Sequence, residues 1–380
     1  MNSKEVHDRF KSEKSRFEII KKFLDGDIQI FQSLKLIDPK TQRLEITPVW
    51  ADDTMISSIY ERKETKTYIF QISTPQKVRI AAKLYAVSNE ELKTGDNEYV
   101  EVRYLKLLNE LCFGKRCPHS TLLYGHTILS LADARCLFPN ILPASNYLLV
   151  LAEMADTNLN LEVQSGHLSE PALVGLLLQC FITLTVLHGV FPSFRHNDLH
   201  MANVLLQKLP SEERLYVKYT IYKKEYWIGL DVCPYRILLW DMNHSSIDNH
   251  AEEHPKLETL VPNKTKMHGA AKSNQNQYYD LHKLLDSMEY VIRARKLANL
   301  YPNVLGFVND VVPTNLKCMT KNLTIEQRKD LVLWKTEPTT AKKVLETHDL
   351  FYQFRTKPQD SYRILCNYVF PCKTSTKKTP

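Results

Sequence analysis

The spacing of hydrophobic and polar positions changes several times along the chain, and each change marks a predicted element. Residues 4–24 carry apolar side chains on one face, which predicts a charged amphipathic helix. From about residue 46 the pattern becomes that of strands, in TMISSIY, TYIFQIS and KVRIAAKLY, which polar turns separate. A predicted helix at roughly 96–111 follows, and then the apolar strand NYLLVLAEM.

Beyond Asp156 the pattern predicts mainly helices, interrupted by a short pair of strands. The most apolar stretch, ALVGLLLQCFITLTVLHGVF at 172–191, has about the length of a membrane span. It contains Gln179 and His188, so we interpret it as a buried helix of a large soluble domain, not as a span. The tail at 373–380 is expected to be flexible and basic. The predicted fold class is therefore α+β, with a small antiparallel sheet followed by a larger, mainly helical part.

Composition and charge narrow the function classes. Of 380 residues, 43% are hydrophobic and 24% are charged, which is ordinary for a globular protein. The net charge of +7 is spread along the chain without an aromatic-basic array, so no specific signal for nucleic-acid binding is present. The eight cysteines form no C-x-x-C pair and the N-terminus has no apolar core, so we expect reduced thiols and a cytoplasmic location.

The segment FRHNDLHMANVLLQ, residues 194–207, carries the strongest chemical signal. His196, Asp198 and Asn203 stand at fixed offsets just before an apolar run. The catalytic loop of protein kinases has a similar order, in which the Asp accepts the proton of a substrate hydroxyl and the Asn binds magnesium. This spacing predicts phosphoryl transfer, provided that partner residues are present.

The first partner is Lys83 in the predicted strand VRIAAKLY. Ala81 lies two residues earlier and so on the same face of the strand. In kinases the small residue of such a strand leaves room for adenine, and the Lys reaches the α- and β-phosphates. Glu101, on the helix that follows, is the predicted carboxylate partner of Lys83, and Glu98 is the alternative.

The second partner is Asp241, which ends the apolar strand in RILLWDMNHSS. This is the position of the D-F-G aspartate, a magnesium ligand in kinases. With Asn203, it gives two predicted oxygen ligands for one metal site.

These motifs together resemble those of eukaryotic-type serine/threonine protein kinases. More narrowly, the chain is similar to divergent kinases of large cytoplasmic DNA viruses, such as iridoviruses, which have HNDLH loops and a hairpin inserted between the two magnesium ligands. The resemblance covers about residues 46–300. It implies a two-lobed fold with these parts: an N-terminal helical extension at 1–45, an N-lobe with the hinge at its end at 46–155, and a C-lobe at 156–372 that includes a hairpin insertion at 208–236.

The resemblance also implies roles for individual residues. ATP and Mg²⁺ are the implied cofactors, and a protein with a Ser or Thr acceptor is the implied substrate. Asp198 is the implied catalytic base, His200 stands where such kinases carry a lysine for the γ-phosphate, and Asp280 corresponds to the residue that anchors the catalytic loop. The implied nucleotide-binding residues are Ser57, Ser58, Ala81, Lys83, Ala152, Glu153, Ala155 and Leu205.

The chain departs from this pattern in three ways. No glycine occurs between Gly26 and Gly95, so the glycine-rich loop is absent, and we expect weaker nucleotide binding. Asn197 replaces the arginine that binds an activation-loop phosphate, so activation through that pair is not expected. Ala152 falls at the gatekeeper position, which predicts an unusually deep adenine pocket that accepts N6-enlarged ATP analogues.

Two other functions are alternatives. The pattern H-x-D-L-H-x-x-N is also similar to aminoglycoside and choline kinases, although the hairpin insertion argues against a small-molecule acceptor. A pseudokinase that acts as a binding scaffold is the other alternative, against which the retained reactive residues argue. The oligomeric state and packaging into virions are left open by the sequence.

Overall fold

The computed structural model of the protein describes residues 45–50, 67–73, 79–89, 98–137, 141, 143–209, 211–247, 278–312, 317, 340–359 and 361–370. The predicted helix at 4–24, the predicted strand TMISSIY with Ser57 and Ser58, and the tail at 373–380 lie outside the described residues. The chain divides into two compact units. The N-terminal unit contains the described residues of 45–109 and 121–155, and the C-terminal unit contains those of 110–120 and 156–370.

The N-terminal unit is built on one antiparallel sheet. In its described part, strands lie in the order β1-β2-β3-β5-β4, and every neighbouring pair is antiparallel. Helix α1 belongs to this unit as far as Asn109. The elements are β1 Glu45–Trp50, β2 Thr67–Ser73, β3 Arg79–Val87, α1 Glu98–Phe113, β4 Leu123–Ser130, α2 Leu131–Leu137 and β5 Asn146–Glu153.

The central strands of this sheet are the most buried. Residues 80–85 of β3 and 147–153 of β5 are buried, which explains why both segments are almost continuously apolar. The strand predicted at 77–85 lies two residues further along the chain. Strand β4 and helix α2 were not predicted, because the sequence between Leu123 and Leu137 alternates only weakly between apolar and polar residues.

The C-terminal unit contains helices and two small sheets. Its described elements are β6 Thr157–Asn158, α3 Leu159–Ser165, α4 Glu170–Val190, β7 Val204–Lys208, β8 Leu215–Ile221, β9 Lys224–Gly229, β10 Tyr235–Leu239, α5 Tyr279–Ala294, α6 Pro302–Val311, α7 Ala341–Thr347 and β11 Arg363–Phe370. Three 3-10 helices, Met201–Asn203, Met242–His244 and Asp349–Arg355, complete it.

Helix α4 forms the centre of this unit. The Ser169 side chain caps its first turn by accepting a hydrogen bond from the Ala172 amide, and Pro171 lies in that turn. Residues 172–187 are buried without interruption, as expected of a helix that is apolar on all sides. Phe181 packs against the rings of Phe307 and Phe351, with centroid distances of 5.5 and 5.3 Å.

Helix α4 is also the one described helix that is long and apolar enough to cross a membrane. Its most apolar window has a mean hydropathy of 2.0, and 83% of that window is buried inside the protein. This burial accounts for the apolar composition and supports the interpretation of 172–191 as a core helix.

The two sheets of the C-terminal unit hold the candidate site and the inserted hairpin. The first has the order β10-β7-β6, with both pairs antiparallel. Strands β8 and β9 form an antiparallel hairpin around Tyr222 and Lys223, which both have positive φ, as in a type I′ turn. Strand β11 pairs with β8 in parallel and completes the second sheet.

The region predicted to be mainly helical after Asp156 contains two strands more than expected. Of the six strands among its described residues, β7 and β10 form the predicted pair, and β8 and β9 lie in the predicted hairpin segment. Strands β6 and β11 were not predicted. The partner of β11 lies about 150 positions earlier, and no local pattern reveals such a pairing.

Candidate active site

Lys83 and Glu101 form a buried ion pair in the N-terminal unit. The Lys83 ammonium lies 3.2 Å from Glu101 Oε1, and the two side chains are 4% and 0% exposed. Glu101 lies in the first turns of α1, and its carboxylate is the one that the sequence predicted for Lys83. A buried charge needs a partner of opposite sign, so this pair fixes the lysine head group in one place.

Tyr85 is a third member of this cluster, which the sequence did not predict. Its hydroxyl donates a hydrogen bond to Glu101 Oε2, and its ring lies 4.8 Å from the Lys83 ammonium. Tyr85 stands two residues after Lys83, so the two side chains share one face of β3. Both oxygens of Glu101 therefore have donors. The position of Tyr85 two residues after Lys83 was the signal in the sequence that could have predicted its place in this cluster.

The residues predicted to bind adenine in the N-terminal unit lie on two neighbouring strands. Ala81 on β3 pairs directly with Ala152 on β5, and both are buried. Glu153 ends β5, and its amide donates to the Leu122 carbonyl at 2.8 Å. Ala155, just beyond the strand, is 7% exposed. Their role in binding a nucleotide stays a prediction.

Asp280 anchors the loop that carries Asp198. This aspartate lies in the first turn of α5 and is 1% exposed. Its two carboxylate oxygens accept hydrogen bonds from the amides of His196 and Asn197, at 2.7 and 2.8 Å. His196 makes a second anchor, since its Nε2 lies 2.9 Å from the Trp240 carbonyl. The loop is thus tied both to a helix and to the end of β10.

Asp198 lies at the surface end of this network. Its side chain is 25% exposed, and Lys283 donates to its Oδ1 at 2.5 Å. Burial raises the pKa of Asp198, but the Lys283 ammonium, with His200 and His244, outweighs the burial and holds the pKa of this carboxyl well below its usual range. The carboxylate is therefore ionised at neutral pH, as a proton acceptor must be.

His200 caps the short helix that follows. Its Nδ1 accepts a hydrogen bond from the Ala202 amide at 3.2 Å, and its Nε2 lies 3.7 Å from Asp198 Oδ2. Burial lowers the pKa of His200, although the nearby carboxylate of Asp198 opposes that effect. At neutral pH the imidazole is uncharged, so the cation closest to Asp198 in the described residues is Lys283.

The pairing of β7 with β10 brings Asn203 next to Trp240, the residue before Asp241. Val204 pairs with Leu239, and the Trp240 amide donates to the Asn203 carbonyl at 3.1 Å. The Asn203 side-chain nitrogen donates to the Asp198 carbonyl at 2.9 Å, which leaves the amide oxygen for a ligand. Asp241 has left-handed backbone, with φ 64° and ψ 59°.

The donor set fits a magnesium ion. Asn203 and Asp241 both offer oxygen atoms, the ligands that Mg²⁺ prefers, and Mg²⁺ is usually held by one or two side chains with the substrate phosphates. The described residues contain no cluster of three or more His, Cys, Asp or Glu side chains placed to hold a metal.

Leu205, two residues after Asn203, is half-buried on β7 between Leu238 and Asn158.

Asn197 links the loop to the segment after Asp241. Its backbone is left-handed, with φ 62°, a conformation that Asn adopts more readily than most residues. Its side-chain nitrogen donates to the His244 carbonyl at 2.9 Å and to Ser246 Oγ at 3.2 Å. Arg195 and Ser246 also exchange two backbone hydrogen bonds. The side-chain amide of Asn197, at the position where kinases carry an arginine, therefore holds the segment after Asp241.

Lys283 is, besides Tyr85, a site residue that the sequence analysis missed. It lies on α5 one turn after Asp280. One turn further along, the Ser287 Oγ accepts a hydrogen bond from the Met201 amide at 3.4 Å. Asp280, Lys283 and Ser287 occupy positions i, i+3 and i+7, and these three polar residues are all buried on one face of the helix. Their helical spacing was the available sequence signal.

The predicted site residues thus fall into two groups, one in each unit. The N-terminal unit joins Lys83 to Glu101 and Ala81 to Ala152. The C-terminal unit joins the catalytic-loop residues and the two magnesium-ligand candidates: Asp198, His200, Asn203 and Asp241.

The chain has distant sequence similarity to a protein named as a kinase. No family model matches the chain. Over 189 residues it is 27% identical to a protein of Acanthamoeba polyphaga mimivirus that is named "Putative serine/threonine-protein kinase", and the match covers 47% of this chain. The chain spans 38% of the length of that relative. The mixed α/β fold with antiparallel sheets is compatible with a kinase-like protein, and the similarity to iridovirus kinases in particular stays a prediction.

Proposed function

We propose that the protein is an ATP-dependent protein kinase with a two-lobed kinase fold, which transfers the γ-phosphoryl group to a Ser or Thr hydroxyl. The observation that carries this proposal is the arrangement of the loop at 196–203. Asp280 holds two of its amides, Asp198 is ionised at its surface, and Asn203 is bonded through its carbonyl to Trp240, the residue before Asp241. The distant mimivirus relative supports the same reaction class.

In this proposal each residue has a distinct task. Lys83, fixed by Glu101, orients the α- and β-phosphates, and Asn203 and Asp241 hold Mg²⁺ through oxygen atoms. The bound Mg²⁺ supplies charge neutralisation at the phosphates. Asp198 positions the acceptor hydroxyl and takes its proton. Because the pKa of Asp198 is held low, its main contribution is orientation of the hydroxyl rather than strong basicity.

A phosphate-transfer assay with radiolabelled ATP tests the proposal. Wild-type protein should label a casein-like substrate in the presence of Mg²⁺, and Asp198→Asn should abolish the labelling while the protein still shows a cooperative thermal unfolding transition. Asp231→Asn, a change at an exposed aspartate after β9, is the matched control and should retain activity. Equal labelling by wild type and Asp198→Asn would refute the proposal.

A panel of acceptors separates this function from the alternatives. Labelling of aminoglycosides or choline, but of no protein, would identify a small-molecule phosphotransferase. Absence of Mg-ATP binding in calorimetry would favour a pseudokinase scaffold. The inserted hairpin of β8 and β9 is the structural feature that favours a protein acceptor in our proposal.

Location and origin belong to the same proposal. We propose a viral origin, for which the mimivirus relative is the support. We also propose a cytoplasmic site of action, which rests on the sequence alone. Fractionation of infected cells, with detection of the protein by antibody, tests the location and also reveals any packaging into virions.

A further inference from the structure

The catalytic-loop peptide at Asn197 is held on both sides by one turn of helix α5. Its amide donates to Asp280 at 2.8 Å, and its carbonyl accepts from the Lys283 ammonium at 3.2 Å. Asp280 and Lys283 are three residues apart on the helix and therefore point to the same side. A carboxylate matches the amide and an ammonium matches the carbonyl, so charged groups hold the two peptide groups on either side of the Asn197 Cα.

The Lys283 ammonium also contacts the side chain of the next residue, Asp198. Lys283 donates to Asp198 Oδ1 at 2.5 Å, and the lysine side chain is 3% exposed while that of Asp198 is 25% exposed. The lysine therefore lies beneath the carboxylate, on the protein side. The other oxygen, Oδ2, has longer contacts among the described residues: 3.4 Å to Asn203 Nδ2 and 3.7 Å to His200 Nε2.

His200 cannot replace this contact in the observed geometry. Its Nδ1 is engaged by the Ala202 amide, and its Nε2 is too far from Asp198 for a normal hydrogen bond. The position where the resemblance predicts a lysine from the loop thus lacks a close cation, while helix α5 supplies one from a position 85 residues away from Asp198.

We propose that Lys283 is the positioning residue of Asp198, which fixes Oδ1 so that Oδ2 is presented to the acceptor hydroxyl. This inference rests on the proposed kinase function. Lys283 acts through Asp198 and through the Asn197 peptide, and contact with the substrate is not required of it. Its removal should therefore affect the rate of transfer much more than the binding of nucleotide.

Three variants test this inference in the full-length protein: Lys283→Met, Lys283→Arg and Lys317→Met. The first removes the charge, and the second keeps it. The third is a matched control, because Lys317 is a similarly buried lysine that pairs with Glu289 on the same helix at 2.6 Å but makes no contact with the loop. The readouts are kcat, the KM for ATP and the thermal unfolding midpoint.

Lys283→Met should lower kcat by about 100-fold, the loss expected for a misplaced catalytic group, and should leave the KM for ATP within about twofold. Lys283→Arg should recover part of this loss. Lys317→Met should lower the unfolding midpoint while keeping kcat near the wild-type value.

Two results would overturn the inference. They are a Lys283→Met variant with kcat near that of wild type, or an equal loss of kcat in Lys317→Met. Where Lys283→Met does not fold, Lys283→Gln, which retains a donor for the Asn197 carbonyl, gives the same comparison.

Failure of the proposed function is distinguishable from failure of this inference. Wild-type protein without any transfer would refute the function, whereas active wild type with an unaffected Lys283→Met would refute the inference alone. Urea unfolding of the single and double variants at Asp198 and Lys283 provides a measure that needs no transfer. Non-additive effects on stability are expected, and additive effects would contradict the pairing on which the inference depends.

Discussion

Ala81 and Ala152 lie directly opposite each other on β3 and β5. They are 7% and 0% exposed. Directly opposed residues of antiparallel strands have Cβ atoms about 4.5–5.5 Å apart, so a pair of methyl groups leaves less of this face filled than a pair of larger side chains would. That adenine binds at this face in a deep pocket stays a prediction of the proposed function.

The first prediction concerns Ala152→Phe. Wild-type protein should bind N6-benzyl-ATP in competition with ATP, and Ala152→Phe should weaken that competition about tenfold or more, because the added ring fills the space. Binding of ATP itself should change by only a few fold. Competition calorimetry measures both affinities, with Ala152→Gly as the control that keeps the space open. Equal competition in the Phe and Gly variants would show that Ala152 does not limit the pocket.

The second prediction concerns the buried pair of Lys83 and Glu101. Lys83→Met should lower the free energy of unfolding by about 3–5 kcal/mol, because it leaves the buried carboxylate without its cation. Adding Glu101→Leu should restore much of that loss, since the unpaired charge is then gone. Tyr85→Phe should cost about 1.5–3 kcal/mol through the lost hydrogen bond to the charged group. Urea unfolding provides all these values, and strictly additive costs for the Lys83 and Glu101 changes would contradict the prediction.

The contacts predicted correctly from the sequence are those with a local geometric rule. Lys83 and Ala81 share a strand face by the period of two, and Glu101 lies on the buried side of an amphipathic helix. The pairing of Lys83 with Glu101 then follows from the need to neutralise a buried charge. The long apolar run at 172–191 similarly predicted a core helix.

The features that were missed depend on contacts between distant parts of the chain. The parallel pairing of β11 with β8 joins residues far apart in sequence, and the alternation within each strand does not identify a partner. Lys283 stands at helical spacing from Asp280 and Ser287 in the sequence, but that spacing does not identify a partner. Its role becomes visible only when α5 packs against the loop that carries Asp198.

The third prediction concerns Asn197 and the segment after Asp241. Because Asn197 already holds the His244 carbonyl and Ser246, phosphatase treatment should leave the transfer rate of wild-type protein within about twofold. Asn197→Gly keeps a residue that adopts the left-handed backbone but removes both hydrogen bonds, and it should lower kcat about tenfold. Ser246→Ala removes one of the two bonds and should have a smaller effect. Loss of transfer after phosphatase treatment would show that a phosphate is needed after all.

The fourth prediction concerns the dependence of stability on pH through buried histidines. Burial, assisted by Arg236, lowers the pKa of His119 to about 3, although its hydrogen bond to the Ile237 carbonyl opposes this. Burial likewise lowers the pKa of His188 and of His282 to about 4. Below the ordinary value of 6.5 the unfolded chain therefore binds more protons than the folded one, and each such histidine lowers stability by up to about 1.4 kcal/mol per pH unit on acidification.

Urea unfolding at pH 7 and pH 5 checks this dependence in wild type and in His119→Asn. The Asn side-chain nitrogen can replace Nδ1 as the donor to Ile237, while the titrating ring is removed. The free energy of unfolding of wild type should be highest above pH 6.5 and should fall between pH 7 and pH 5. In His119→Asn this fall should be smaller by about 2 kcal/mol. His167→Asn, which changes an exposed imidazole, is the matched control and should follow wild type. Parallel pH profiles for wild type and His119→Asn would mean that His119 accepts a proton in the folded protein without cost.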